Sequence, residues 1–156
     1  MSTNSRIGIR LPDGSILSVY HHWDGYPEWL GVTLNQQYNT REKIEELIDG
    51  GNMSSCYTDS GWDLDEKREY APLYYTDRGE SLEDNAPKLS KNEKEFLVTT
   101  DKCCGEFAYI FELNNTWRCI GLDFWNPETK EFNDTVKYVE KTIPADYPNF
   151  EDLKIA

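Results

Sequence analysis

The chain predicts an α+β fold, an antiparallel sheet built from hairpins with two or three helices packed on one face. Three observations carry this expectation. Apolar residues alternate on both sides of Asp13-Gly14 and again on both sides of Asn114-Asn115, which marks two hairpins. Between them, from Pro27 onward, apolar residues recur every four positions, as on one face of a helix. The strands come as adjacent pairs, whereas parallel pairs need a crossover connection.

Residues 6–11 (RIGIRL) put Ile7, Ile9 and Leu11 on one face. After Pro12-Asp13-Gly14, residues 15–20 return, with Ile16, Ser18 and Tyr20 alternating with Leu17, Val19 and His21. His22 to Tyr26 form a turn, and Pro27 suits the first position of a helix, where its missing N–H costs little. Leu30, Leu34 and Tyr38 make the buried stripe of that helix. Thr40 is an N-cap for a second helix over 41–49, with Ile44, Leu47 and Ile48 inward and Gly50-Gly51 at its end.

Residues 51–70 read as turn formers and acids, and 72–76 as a short strand. A polar surface loop is expected at about 77–95. Ser90 and Glu93 match a capping box, but Phe96-Leu97-Val98-Thr99-Thr100 reads as strand, so the match is taken as chance. Residues 106–113 place Phe107, Tyr109, Phe111 and Leu113 on one face, and 116–122 return as their partner. Residues 134–141 are assigned to a helix on the spacing of Val136, Val139 and Ile143. From about 143 an irregular tail carries Tyr147 and Phe150, which are expected to dock on the body of a single domain.

Composition narrows the function. Aromatic residues make up 13% of the 156 residues, too many for a disordered acidic chain. The formal charge of −13 argues against duplex nucleic acid, whose binding requires a basic face. There is no signal-peptide-like core and no apolar run of membrane-spanning length, so a cytoplasmic protein without membrane contact is expected. Cys56, Cys103, Cys104 and Cys119 are expected to be thiols, and no Cys-x-x-Cys spacing suggests zinc. Asp63, Asp65 and Glu66 lack the spacing of a calcium loop. No metal or cofactor is expected.

The densest group of chemically versatile side chains is His21-His22-Trp23-Asp24-Gly25-Tyr26, at the junction of a strand and a helix. Alternation points the two histidines to opposite faces, which disfavours a shared metal. A pocket around His22, Trp23, Asp24, Tyr26 and Arg78 would take a small anionic ligand such as a nucleotide or second messenger. The same residues read equally as core aromatics and a fixed turn. His22 beside Asp24 would also provide an acid–base pair for a hydrolase or transferase, although no motif of a catalytic nucleophile accompanies it. The reading that the sequence favours over these two uses the charge. From Asp59 to Asp84 there are nine acids against three bases. Asp63, Asp65, Glu66, Glu69, Asp77, Glu80, Glu83 and Asp84 would then contact a host protein with a basic surface, such as a defence or nucleic-acid-handling enzyme.

The segment His22-Trp23-Asp24-Gly25-Tyr26-Pro27, the Ile48-Asp49-Gly50-Gly51-Asn52-Met53-Ser54-Ser55 stretch, Tyr75-Thr76-Asp77-Arg78-Gly79-Glu80 and the aromatic hairpin with Trp117 resemble a group of small accessory proteins encoded by tailed bacteriophages. The resemblance covers about residues 5–122. It implies a non-enzymatic phage accessory protein acting inside the infected cell, and it carries no catalytic residues across.

Overall fold

Strand β1 (Ser5–Arg10) is the middle of the molecule and is buried along almost its whole length. It is followed by β2 (Ile16–His21), a wide π-helical turn (Pro27–Gly31), α1 (Val32–Gln37), α2 (Arg41–Asp49), β3 (Met53–Ser60) and β4 (Lys67–Tyr74). Then come β5 (Lys88–Ser90), α3 (Glu93–Lys102), β6 (Phe107–Phe111), β7 (Trp117–Asn126) and β8 (Glu131–Lys141). The computed structural model describes residues 3–62, 67–126 and 128–148.

The strands form one sheet in the order β4-β3-β2-β1-β6-β7-β8, and β5 pairs with the part of β2 that β3 leaves open. Most joints are antiparallel, in keeping with the hairpins expected from sequence. Two are parallel: β1 with β6, and a single bridge from His21 of β2 to Met53 of β3. The sheet is therefore mixed. The helical segment 27–49 is the crossover that the β2–β3 joint requires.

Alternation along the central strands divides the core in two. Ile7, Ile9, Val19, Tyr109, Phe111 and Cys119 face the helices of the crossover and meet Leu30, Leu34, Ile44, Leu47 and Ile48. Two helices thus share one face, as the sequence predicts. On the reverse face Ile16, Ala108, Ile110, Ile120 and Leu122 pack against Phe96 and Leu97 of α3. Gly8 lets that helix lie close, because a Cβ there would sit 2.6 Å from Ile16 Cγ2 and 3.2 Å from Phe96.

Five expectations change. Residues 96–100 are helix, not strand. Asn92 caps α3 by accepting the Glu95 N–H at 2.9 Å, and Phe96 and Thr100 share its buried face one turn apart. The β-branched Val98-Thr99-Thr100 run is overridden by cap and burial, and the cap is Asn92 rather than Ser90. Residues 134–141 belong to β8, an edge strand whose Val136 packs on the reverse-face core. The segment 51–70 holds all of β3 and the start of β4, strands with irregular register and polar sequence. Their hairpin is tied by Arg68, which donates to the carbonyls of Ser60, Ala71 and Pro72. Leu113 lies beyond β6 and is exposed. The polar stretch from 77 contains 3₁₀ turns and β5.

Other expectations hold. Thr40 caps α2 by accepting the Lys43 N–H. The four cysteines are free thiols. The tail after β8 is irregular, and Tyr147 docks on the body, while Phe150 lies outside the described residues. No helix among the described residues is long and apolar enough to cross a membrane.

An ionic network fastens the end of the sheet to α3. Arg10 contacts Glu93 at 2.7 Å and Glu112 at 3.1 Å. Arg118 contacts the same two carboxylates at 2.7 and 3.0 Å and also pairs with Glu140. The Arg118 hydrogen bond, with help from Arg10, holds the Glu93 carboxyl below the usual range. Burial pushes Glu112 up, but its bonds to Arg10 and Arg118 outweigh this and leave it lowered. A carboxyl with a depressed folded pKa stabilises fully above its unfolded value and loses that contribution as pH falls through the folded one. The network should therefore weaken below about pH 4.3. Glu112→Gln should cost about 1 kcal/mol at pH 7 after solvent screening is allowed for, and the loss should shrink toward pH 3, as read from urea midpoints across that range. At the end of α2, Gly51 has φ +88°, and a Cβ would collide with the Asn85 carbonyl oxygen. Gly51→Ala should destabilise by about 1–3 kcal/mol, measured by the same unfolding curves.

Candidate functional site

The turn after β2 is built by backbone bonds to two neighbouring segments. His22 N–H donates to Met53 O and Trp23 N–H to Ser54 O, which extends the parallel joint beyond its single bridge. Gly25 N–H donates to Thr3 O at 2.9 Å, and the buried Tyr109 hydroxyl donates to Gly25 O at 2.6 Å. A Cβ at Gly25 would lie 2.7 Å from Thr3 O, so only glycine fits this approach. Asp24, immediately before it, takes φ +52°. The result is a fixed loop that presents Trp23 and Asp24 outward.

Beside this loop is a cavity of about 410 Å³, lined by His21, Trp23, Asp24, Trp29, Leu30, Thr33, Ser55, Cys56, Tyr57, Tyr70 and Tyr147. Its volume lies in the range of small-molecule sites. The rings come from separate segments. Trp29 of the π-helical turn stacks on Tyr147 of the tail at 5.9 Å, and Tyr57 of β3 stacks on Tyr70 of β4 at 4.8 Å. Thr33 bonds the Tyr147 hydroxyl at 2.6 Å, so the tail forms part of the wall. Trp23 and Asp24 also border a second cavity of about 330 Å³ that runs along Ser54, Thr58, Ser60 and Trp62.

The two histidines do face opposite sides. His21 is buried, and its Nε2 accepts the Cys56 N–H at 3.0 Å. The proton therefore sits on Nδ1, which has no partner among the described residues. Burial, with a lesser contribution from His22, lowers the His21 pKa to about 3, so the ring is neutral at physiological pH. His22 is half-buried, with Nδ1 bonded to the Tyr20 hydroxyl at 2.8 Å and its ring edge-on to Trp23. Burial and the nearby Arg78 cation lower its pKa. Nδ1 of His22 is taken by the Tyr20 hydroxyl, and no hydrogen bond joins His22 to Asp24 among the described residues. Burial also pushes the Cys56 thiol up to about 12, which makes it a poor nucleophile.

The predicted pocket residues separate. Trp23 and Asp24 line the cavity, His22 stands behind Trp23, and Tyr26 turns away to pack on Phe107 at 5.8 Å. Arg78 lies 4.9 Å from the Trp62 ring and 4.7 Å from the Tyr75 ring and pairs with Glu80. Of the predicted acidic contact residues, Asp63, Asp65 and Glu66 lie outside the described residues. Asp77 accepts from the Tyr74 N–H and Asp84 from Ser81, while Glu69 and Glu83 are exposed. Sequence reading missed His21 as a lining group, and also Trp29, Tyr57 and Tyr70. Trp29 precedes the Leu30 stripe by one position, and that offset was the available signal. Tyr57 and Tyr70 fell in a segment read as turns.

Among the described residues, no three His, Cys, Asp or Glu side chains are grouped so as to hold a metal ion. Comparison with known proteins gives no match to any family model, curated protein or solved structure.

His21 sets a pH dependence separate from that of the carboxylates. It is neutral when folded and protonates in the unfolded chain below about pH 6.5. Its contribution is complete above that value and is lost as pH falls from 6.5 toward about 3. Stability should fall by about 1.4 kcal/mol per pH unit in that window. His21→Gln, which can still accept the Cys56 N–H, should flatten the segment between pH 6.5 and 5, as followed by chemical denaturation.

Proposed function

We propose that the chain is a small-ligand binding protein whose site is the aromatic cavity beside the Trp23–Gly25 turn. One observation carries this reading: rings from five separated segments converge on one cavity of about 410 Å³. The cavity opens to the surface, and aromatic faces gathered in one concavity are a common lining for an organic molecule. In the setting suggested by the phage resemblance, the protein would capture its ligand in the cytoplasm of an infected cell.

Docking to a basic host protein through the acidic surface has less to stand on. Asp77, Glu80 and Asp84 are engaged in local bonds to Tyr74, Arg78 and Ser81. Pull-down from host lysate at low and high salt addresses that alternative.

Thermal unfolding in the presence of a panel of neutral, anionic and cationic organic molecules, nucleotides included, tests the proposal. At least one compound should stabilise the protein, by about 2.7 kcal/mol at a hundred times its Kd. Trp29→Ala and Tyr57→Ala should each weaken that compound by tenfold or more while leaving the far-UV spectrum unchanged. Absence of a shift with every compound would overturn the reading.

A further inference from the structure

Resting on the ligand-binding reading above, we infer that the cavity takes an organic cation, with its methylated ammonium group held by the Trp29, Tyr57, Tyr70 and Tyr147 rings and the Asp24 carboxylate. The charge of the wall comes first. Asp24 is the one formally charged side chain among the described lining residues, and no Lys or Arg is among them. The imidazole that lines the cavity is neutral at physiological pH. The nearest cation noted from sequence, Arg78, is paired with Glu80 and sits over Trp62 and Tyr75, neither of which lines this cavity. An anion entering here would meet a carboxylate, inside a chain of net charge −13. The small anionic ligand expected from sequence therefore lacks a counter-charge at this site.

The rings decide which cation. Aromatic faces carry the negative lobe of the ring quadrupole and attract positive charge. A bare ammonium is strongly hydrated and needs several oxygen acceptors to replace its water. The described wall offers one carboxylate and five rings, a poor exchange for ammonium. A methylated ammonium spreads its charge over C–H groups, sheds water more easily and gains from both rings and carboxylate.

The test uses choline and acetylcholine with their carbon isosteres, 3,3-dimethylbutan-1-ol and 3,3-dimethylbutyl acetate, which keep the shape and oxygen but lack the charge. Titration calorimetry on the full chain reads each Kd, with AMP as the anionic comparison. At least one of the cations should bind tenfold or more tightly than its isostere, and AMP should not compete. Asp24→Asn should remove most of that preference and leave the isostere affinity unchanged; Asn tolerates the positive φ at this position, so the turn is kept. Tyr57→Leu should weaken the cation and spare the fold. Equal binding of cation and isostere, competition by AMP, or failure of both cations to bind would overturn the cation assignment. If the wider panel still yields a ligand in that event, the cavity reading stands by itself. If that panel also yields none, both fall.

Discussion

The bond from the buried Tyr109 hydroxyl to Gly25 O is the constraint on which the site depends. Tyr109 is fully buried in the middle of β6, where the crossover helices cover the sheet. A phenol there must find an acceptor, because an unmade hydrogen bond in that setting is costly. It finds one in the turn 84 residues earlier. Gly25 N–H is held at the same time by Thr3. A turn clamped through both the N–H and the C=O of one residue has little freedom, so Trp23 and Asp24 are positioned by the hydrophobic core. The conformational cost of presenting them is met during folding and not at binding, which is what preorganisation requires.

The parallel joint of β1 with β6 makes this clamp possible. It sets Ser5 beside Phe107 and Ile7 beside Tyr109, which carries the Tyr109 ring to the end of the sheet where β2 hands over to the π-helical turn. Gly31 contributes from the helical side. A Cβ there would lie 2.9 Å from Ile143 Cγ2 and 3.5 Å from the Tyr109 ring, so the tail packs directly on the helix and brings Tyr147 to Trp29. The opposite face is organised by different physics. Arg6 is buried there and satisfies its guanidinium on Ser18 Oγ and Ser18 O, while α3 is fastened at the sheet end through Glu93. The cavity side relies on ring packing and neutral hydrogen bonds; the α3 side adds charge.

What the sequence made legible follows the range of each interaction. The two hairpins at Asp13-Gly14 and Asn114-Asn115 and the stripes of α1 and α2 rest on spacings of two or four residues, and they were readable. Segment 96–100 was misread because its β-branched residues speak locally for strand, whereas the Asn92 cap and the burial of Phe96 decide for helix. Residues 134–141 satisfy both periods, and only pairing with β7 separates them. In the site, Trp23 and Asp24 were identified because the strand-to-helix junction is a local feature. Arg78 was grouped with them on residue type alone and instead meets Trp62, Tyr75 and Glu80. Tyr57 and Tyr70 were invisible because β3 and β4 form with bulged register from a polar sequence, held by Arg68 and by His21 accepting from Cys56.

The way the cavity is assembled also bears on how an occupant would act. Its walls are drawn from the turn at 23–24, the helical segment at 29–33, β3 at 55–57, β4 at Tyr70 and the tail at Tyr147. No two neighbouring stretches of chain suffice to build it. The unfolded protein therefore has nothing resembling the site, and any ligand it holds binds the folded state alone. Ligand and fold are then linked most strongly through the contacts formed by the outermost segments. The tail is joined to the body by the Trp29–Tyr147 stack, the Thr33 hydroxyl and the side chain of Gln36, all at the helix surface. These contacts lie at the surface, whereas the turn is held from the buried core by Tyr109, so local unfolding is expected to release the end of the tail before the clamped turn.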